Sequence, residues 1–428
     1  GHHIPGATDL IFPPFFGNLN MDIHGSEEIW KFFKRNNLPP TLPGDVLERS
    51  FVHDDSVRTY LLYVPAAFDG AEDWPLVINL HGYTGNAEGQ MIYTDMNVVA
   101  DTGHFLVAYP NGLTMTSNLP GLPPNGQGWN SSPEGDSLYF SADNVDDVGF
   151  LLEAINHIDT DYGVNRDRVY ATGFSSGGTM TYRLACEQSE VFAAIASASG
   201  PARSTLGCTP KRAVPILHIH GTSDPNFGYD TPGDSFIKSR EETIQFWLDQ
   251  NECGSTQTIT MYPDINQADS STVEMQQWDN CIAEVSHLKV TGGGHHIPGA
   301  TDLIFPPFFG NLNMDIHGSE EIWKFFDRNT IIVGVDEVNG VVDGIDGIKI
   351  FPNPANDVLN IEFKDLDVDR AHLYLYNNIG QLVMEQKIDY MHPDLISLNV
   401  AGVASGIHFL QVVTNDRGMT VQRLIIAK

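Results

Sequence analysis

Ser175 stands in Gly173-Phe174-Ser175-Ser176-Gly177-Gly178, a G-x-S-x-G pattern preceded by the β-branched and aromatic run Val169 to Thr172 and followed by Thr179-Met180-Thr181-Tyr182-Arg183-Leu184-Ala185. The first run reads as a buried strand and the second as a helix, so the serine falls on the turn between them. At so tight a turn, side chains two residues either side of the serine would collide. Glycine therefore suits 173 and 177, and the hydroxyl is pushed outward. A hydroxyl placed in this way suits nucleophilic attack if a base takes its proton and an acid orients that base. The plainer alternative is a Gly-Ser-rich turn with no chemistry.

The first carboxylate that follows a buried strand after Ser175 is Asp224, in Ile216-Leu217-His218-Ile219-His220-Gly221-Thr222-Ser223-Asp224. A strand ending there delivers its carboxylate to the carboxyl edge of a sheet, where open α/β sheets place their sites. Asp230 and Asp234 are rivals on the same loop and read better as surface residues. The base is His295 or His296, in Gly292-Gly293-Gly294-His295-His296, where three glycines let the backbone turn sharply and come close to the elbow. His218 and His220 alternate along a strand and read as buried, hydrogen-bonded side chains. No third ligand of fitting spacing makes them a metal pair. The oxyanion of a tetrahedral intermediate needs backbone N–H donors. The expected ones are Ser176, at the start of the elbow helix, and Tyr83, in the turn after Leu80-His81-Gly82.

The elements that must hold these residues alternate between strand and helix. Val57 to Val64, Leu76 to Leu80, Phe105 to Tyr109, Ala193 to Ala198 and Ile216 to Ile219 read as strands. Val148, Leu151, Leu152, Ile155 and Ile158 mark one face of a helix, and Arg240 to Gln250 is helical. A mostly parallel sheet covered on both faces is expected. Gly112 to Asp136 reads as a long, functional loop. Trp323 and Phe326 lie on a further helix that Ser319 could cap.

The 428 residues favour two or three domains. A net charge of −32 argues against nucleic acid or an anionic membrane as partner. No apolar run reaches the roughly 18 residues that span a bilayer. The chain begins on the glycine of a motif that recurs, so its N-terminus is expected to be cut. Cys186, Cys208, Cys253 and Cys281 sit in no metal-binding spacing. Two disulfides in an oxidising compartment fit that spacing, with sequential pairing expected among three connectivities.

Residues 1–33 recur unchanged at 294–326. The expected organisation is a partial repeat at 1–37, a Pro-rich connector at 38–44, a catalytic α/β domain at 45–329, an acidic linker at 330–347 and a small antiparallel β-sandwich at 348–428. Asp336, Asp343 and Asp346 in the linker match no EF-hand spacing. Tyr374, Tyr376 and Phe409 are expected in the sandwich core. A carbohydrate-binding sandwich would instead show them as a strip facing solvent.

Taken together, several motifs resemble the secreted polyhydroxybutyrate depolymerase and feruloyl esterase group, carbohydrate esterase family 1 of the α/β-hydrolases. They are His81-Gly82, Gly128-Trp129-Asn130, Val145-Asp146-Asp147-Val148-Gly149-Phe150, Arg168-Val169-Tyr170, Ser175 with Gly177-Gly178, Leu184-Ala185-Cys186-Glu187, His220-Gly221-Thr222 with Asp224, and Gly292-Gly293-Gly294-His295 with Pro298-Gly299. The likeness runs from about 45 to 329 and implies an α/β-hydrolase fold. It further implies His295 as base, Asp224 as triad acid, and the disulfides Cys186–Cys208 and Cys253–Cys281. The chain departs from the group at Ile297, where tryptophan is usual, and at Tyr83, where cysteine is frequent. The tail resembles the C-terminal sorting domain of the type IX secretion system through Ile350-Phe351-Pro352-Asn353-Pro354-Ala355, Tyr376-Asn377-Asn378-Ile379-Gly380-Gln381, Ala404 to Val412 and Leu424 to Lys428. That implies a secreted or cell-surface protein handled by the type IX machinery.

The expected activity is a serine esterase without metal or cofactor, acting on feruloyl or acetyl esters of plant polysaccharide. Trp129 and the apolar Leu303 to Phe309 are candidate substrate contacts. A polyhydroxyalkanoate depolymerase, a serine peptidase of the same fold and a catalytically silent binding protein are the alternatives.

Overall fold

Leu76, Ile78 and Leu80 pack on one side of their strand and Val77 on the other, and all four are fully buried. A strand that is apolar on both faces needs cover on both faces, which only helices of an α/β layer supply. The computed structural model describes residues 44–116, 123–132, 145–204, 207–234, 237–301, 309–331, 348–353, 355–363, 371–377, 382–388, 395–404, 406–414 and 418–426. The repeat at 1–33, most of the connector and of the linker, and the apolar run up to Phe308 lie outside them.

In chain order the elements of the α/β part are β1 (Asp45–His53), β2 (Ser56–Val64), β3 (Trp74–Leu80), α1 (Ala87–Thr94), α2 (Met96–Gly103), β4 (Leu106–Pro110), β5 (Leu113–Thr116), β6 (Asn125–Gly128), α3 (Asp147–Tyr162), β7 (Val164–Phe174), α4 (Ser176–Glu187), β8 (Ala194–Ala198), β9 (Ile216–Gly221), α5 (Arg240–Gln250), β10 (Gln257–Met261), β11 (Thr272–Trp278), β12 (Val285–Thr291) and α6 (Gly318–Asp327). Ten strands form one sheet in the order β1-β2-β4-β3-β7-β8-β9-β12-β11-β10. The block from β4 to β12 is parallel, and antiparallel pairs finish both edges. Side chains of α3, α4 and α5 bury one face, and those of α1, α2 and α6 bury the other. This is an α/β-hydrolase architecture.

The chain leaves β3 towards one edge and returns at β7 on the other side of it, so the strand order reverses between β3 and β7. Loops that follow two such strands part and leave a crevice at their carboxyl ends. Ser175 follows β7, and the His81–Tyr83 turn follows β3.

Three expectations change. The stretch 112–136 is not one irregular loop, because β5 and β6 pair within it as a hairpin, Leu113 opposite Gly128. Ser319 does not cap α6. The N-cap is His317, with no side-chain bond, and the Ser319 hydroxyl donates to the Thr94 carbonyl at 2.7 Å, tying α6 to α1. Tyr374, Tyr376 and Phe409 are not core residues. Strand alternation sends Leu373, Leu375 and Leu410 inward and leaves these three rings half-buried on the outer face.

Those rings belong to a smaller unit of seven strands, β13 (Ile348–Phe351), β14 (Val358–Phe363), β15 (Ala371–Asn377), β16 (Leu382–Ile388), β17 (Leu395–Asn399), β18 (Gly406–Thr414) and β19 (Gly418–Ile426). They form antiparallel sheets β13-β14-β17 and β16-β15-β18-β19. Leu359, Ile361 and Phe363 of the first sheet share a core with Leu373, Leu375 and Val412 of the second.

Both disulfides are the sequential ones, Cys186–Cys208 and Cys253–Cys281, with partners 22 and 28 residues apart. Loops of that size restrict the unfolded chain by an amount worth about 3 kcal/mol each. One holds the end of α4 and the other the chain just after α5, two helices of the face beneath the serine.

Candidate active site

Ser175 has φ +54° and ψ −118°, a conformation that side chains with a Cβ rarely adopt. Its N–H donates to the Ala198 carbonyl at 2.8 Å, and its own carbonyl accepts from the Thr179 N–H at 2.9 Å, so the strained residue is fixed by β8 on one side and by α4 on the other. A Cβ at Gly177 would stand 2.3 Å from the Leu80 carbonyl oxygen, and one at Gly173 would stand 2.4 Å from the Gly177 carbonyl carbon. The flanking glycines are therefore steric requirements of the turn.

His295 is buried, with Nδ1 2.7 Å from Asp224 Oδ2. A Cβ at Gly294 would meet the Phe309 carbonyl oxygen at 1.9 Å, so only glycine lets the chain approach this closely just before the imidazole. The ring packs against Phe174, the neighbour of Ser175, with centroids 4.9 Å apart. His296 lies next to Tyr93 instead, its Nδ1 3.4 Å from the phenol oxygen.

Asp224 is buried, and both its oxygens are engaged. Oδ1 accepts from the N–H groups of Asn226 at 2.8 Å and Phe227 at 2.9 Å, while Oδ2 takes His295 and faces His220 Nε2 at 3.3 Å. Burial by itself would raise this carboxyl. The charge of His295 and the hydrogen bonds from both histidines outweigh burial and hold it well below the usual carboxylate range. Asp230 is exposed, and Asp234 accepts from the Ile237 N–H at 2.8 Å, closing its own loop.

The His81–Gly82 turn touches the serine: a Cβ at Gly82 would lie 3.4 Å from Ser175 Cβ, and Tyr83 is the next residue along. Ser176 opens α4, so its N–H has no acceptor within the helix. The turn is pinned from behind. His81 Nδ1 lies 2.7 Å from the Gly82 carbonyl, its Nε2 accepts from the Gly112 N–H at 3.0 Å, and burial pushes the imidazole down to about 4.

Trp129, expected as a substrate contact, does not serve as one: it is fully buried, and its indole N–H donates to the His81 carbonyl at 2.8 Å. Its loop is held from below by Asp147, whose Oδ2 accepts from the Asn130 N–H at 2.7 Å, and by Arg183, which donates to the Asn130 carbonyl at 2.6 Å. Trp129 supports the turn that faces the serine and offers no surface to a ligand. Ile297, where the resembling group has tryptophan, is likewise buried.

Three other imidazoles pack behind the site on β9 and β12. His218 Nδ1 lies 2.7 Å from the Tyr182 phenol, His218 Nε2 lies 3.1 Å from His220 Nδ1, and His287 bridges the His218 carbonyl at 2.9 Å and the Tyr229 phenol at 2.9 Å. Burial pushes His287 down to about 3 and His218 well below its ordinary value. His218, His287 and His81 are neutral in the fold, whereas the unfolded chain protonates them near pH 6.5. Between their folded values and 6.5 the unfolded state binds more protons, so stability rises with pH across that window and falls on acidification. Each contributes a slope of up to roughly 1 kcal/mol per pH unit. Urea unfolding at pH 7, 6 and 5 should lose free energy progressively, and His287→Gln should flatten the dependence by about one proton. An unchanged slope in the variant contradicts the assignment.

Among known proteins, residues 126–248 match the model of the dienelactone hydrolase family, and residues 349–427 match that of the secretion system C-terminal sorting domain. A bifunctional acetylxylan esterase/xylanase of Neocallimastix patriciarum is 28% identical over 274 residues, 63% of this chain, and the chain spans 33% of that longer protein. A protein of Aspergillus oryzae described as probable feruloyl esterase C is 30% identical over 286 residues, 64% of this chain and 86% of the relative. The chain belongs to the feruloyl esterase family. Of solved structures, the acetyl xylan esterase from Aspergillus awamori aligns over 66% of this chain and 99% of its own, at 17% identity and TM-score 0.44. The sorting domain marks this feruloyl esterase family member as secreted or attached to the cell surface. No helix among the described residues is long and apolar enough to cross a membrane.

Proposed function

We propose that this chain is a secreted serine esterase that hydrolyses carboxylic esters through an acyl-enzyme, with feruloyl-type esters on plant polysaccharide as its preferred substrates. The observation that carries the reading is the Asp224–His295 pair at 2.7 Å, packed against the residue that precedes a strained, glycine-flanked serine. Ser175 Oγ attacks the ester carbonyl while His295 takes its proton, and Asp224 stays ionised, holding the imidazole in the Nδ1–H tautomer. The N–H groups of Tyr83 and Ser176 receive the oxyanion. His295 returns its proton to the leaving alkoxide, and water then repeats the sequence to release the acid. Apart from that water, every step uses the chain's own groups.

The acyl preference rests on three half-buried phenyl rings around the imidazole. Phe174, Phe309 and Phe227 have centroids 4.9, 5.3 and 5.8 Å from that of His295. Such a wall favours a flat aromatic acyl group over acetyl or a hydroxyalkanoate. Assayed side by side, methyl ferulate should be cleaved with a higher kcat/KM than acetylated xylan, and poly-3-hydroxybutyrate slowest. Phe227→Ala should lower kcat/KM on methyl ferulate about tenfold while p-nitrophenyl acetate changes by less than about twofold. Equal losses on both esters, or poly-3-hydroxybutyrate as the fastest substrate, would reassign the acyl group and leave the esterase chemistry in place.

A further inference from the structure

Asp224 faces two imidazoles where the proposed triad requires one. The second, His220 at the end of β9, has Nε2 2.7 Å from the Phe227 carbonyl and 3.3 Å from Asp224 Oδ2. A carbonyl only accepts, so Nε2 carries a proton, and with one proton on the ring Nδ1 is an acceptor. His218 Nε2, 3.1 Å away, must then donate to it. With Nε2 protonated, His218 Nδ1 is in turn an acceptor, and the Tyr182 hydroxyl at 2.7 Å donates to it. With one proton on each imidazole the donors run from Tyr182 to His218, from His218 to His220, and from His220 to the Phe227 carbonyl, with the Asp224 carboxylate 3.3 Å from the same nitrogen. All four side chains are nine-tenths buried or more. The same Phe227 whose carbonyl is held donates its N–H to Asp224 Oδ1 at 2.9 Å, so His220 grips both the carboxylate and the loop that orients it.

We propose that His220 is a positioning residue that fixes the rotamer of Asp224, so that Oδ2 stays on His295 Nδ1. This rests on the esterase reading above. Rotation of the buried carboxylate would pull Oδ1 from the Asn226 and Phe227 N–H groups and Oδ2 from His295, and the Phe227 carbonyl that His220 Nε2 holds at 2.7 Å fixes the loop that supplies those donors. Glutamine reaches far enough to place an N–H where His220 Nε2 stands, and asparagine does not.

His220→Asn is expected to lower kcat about 10²-fold with KM within about twofold, the scale of a misplaced catalytic group. His220→Gln should recover most of the loss. The low-field proton resonance of the Asp224–His295 hydrogen bond should vanish in the first variant and persist in the second. His287→Gln, an equally buried neighbour without contact to Asp224, should cost stability and leave kcat near that of the parent. Equal activity of the two His220 variants, KM and kcat moving together, or His287→Gln losing as much kcat as His220→Asn would each overturn the positioning role. Ser175→Ala in the same series separates the two ideas. If that variant is inactive while His220→Asn is unimpaired, only the role of His220 fails, whereas activity surviving in Ser175→Ala removes the esterase reading itself.

Discussion

Ser175→Ala is expected to lower kcat on p-nitrophenyl acetate by about 10⁶, the scale seen when a triad serine is removed. The loss should be this large because the rest of the site is built around one oxygen. The turn holds a residue at φ +54° that alanine can occupy no more comfortably, so the variant should fold like the parent and lose only its nucleophile. A fluorophosphonate probe should label the parent at Ser175 and leave the variant unlabelled. Activity within tenfold of the parent would refute the nucleophile. His295→Ala should fall to a similar level, whereas His296→Ala, which removes a ring seated by Tyr93, should stay close to the parent.

Asp224→Asn is expected to cost about 10⁴ in kcat, as when a triad carboxylate becomes an amide with little change of shape. Asp224 Oδ1 accepts two backbone N–H groups, so the amide of the variant must turn its NH2 towards His295. Nδ1 then becomes an acceptor, the proton moves to the nitrogen that should receive the serine proton, and the base is blocked. A loss below tenfold would show that another group does this work.

Much of this arrangement could be read from the amino acids. The elbow needs glycine for steric reasons, so Gly173 and Gly177 announce it, and α5 starts and stops where its residues indicate. What escaped reading lacks an apolar rhythm. Strand β10 is exposed at every position, and α2 is short, with Val98 and Val99 inside it. In β12, buried Ser286 and His287 interrupt the alternation that marks a strand. Trp129 sits among glycines and polar residues, which suggests an exposed contact. The pairing of β5 with β6 and the bonds to Asp147 and Arg183 beneath the loop enclose it. His218 and His220 read as satisfied buried groups, which they are. That their chain ends on Asp224 follows from the bend after β9, for which pattern offers no signal.

The groups around the crevice come from the ends of β3, β7, β9 and β12, and the imidazole comes last, its loop held by Phe309 and Asn311 still further along. A ribosome releases the serine first and the imidazole long afterwards. A growing chain that has already shaped its elbow therefore lacks the base that the proposed mechanism uses. On that mechanism the site is complete only when the sheet has closed over β12 and the loop after it.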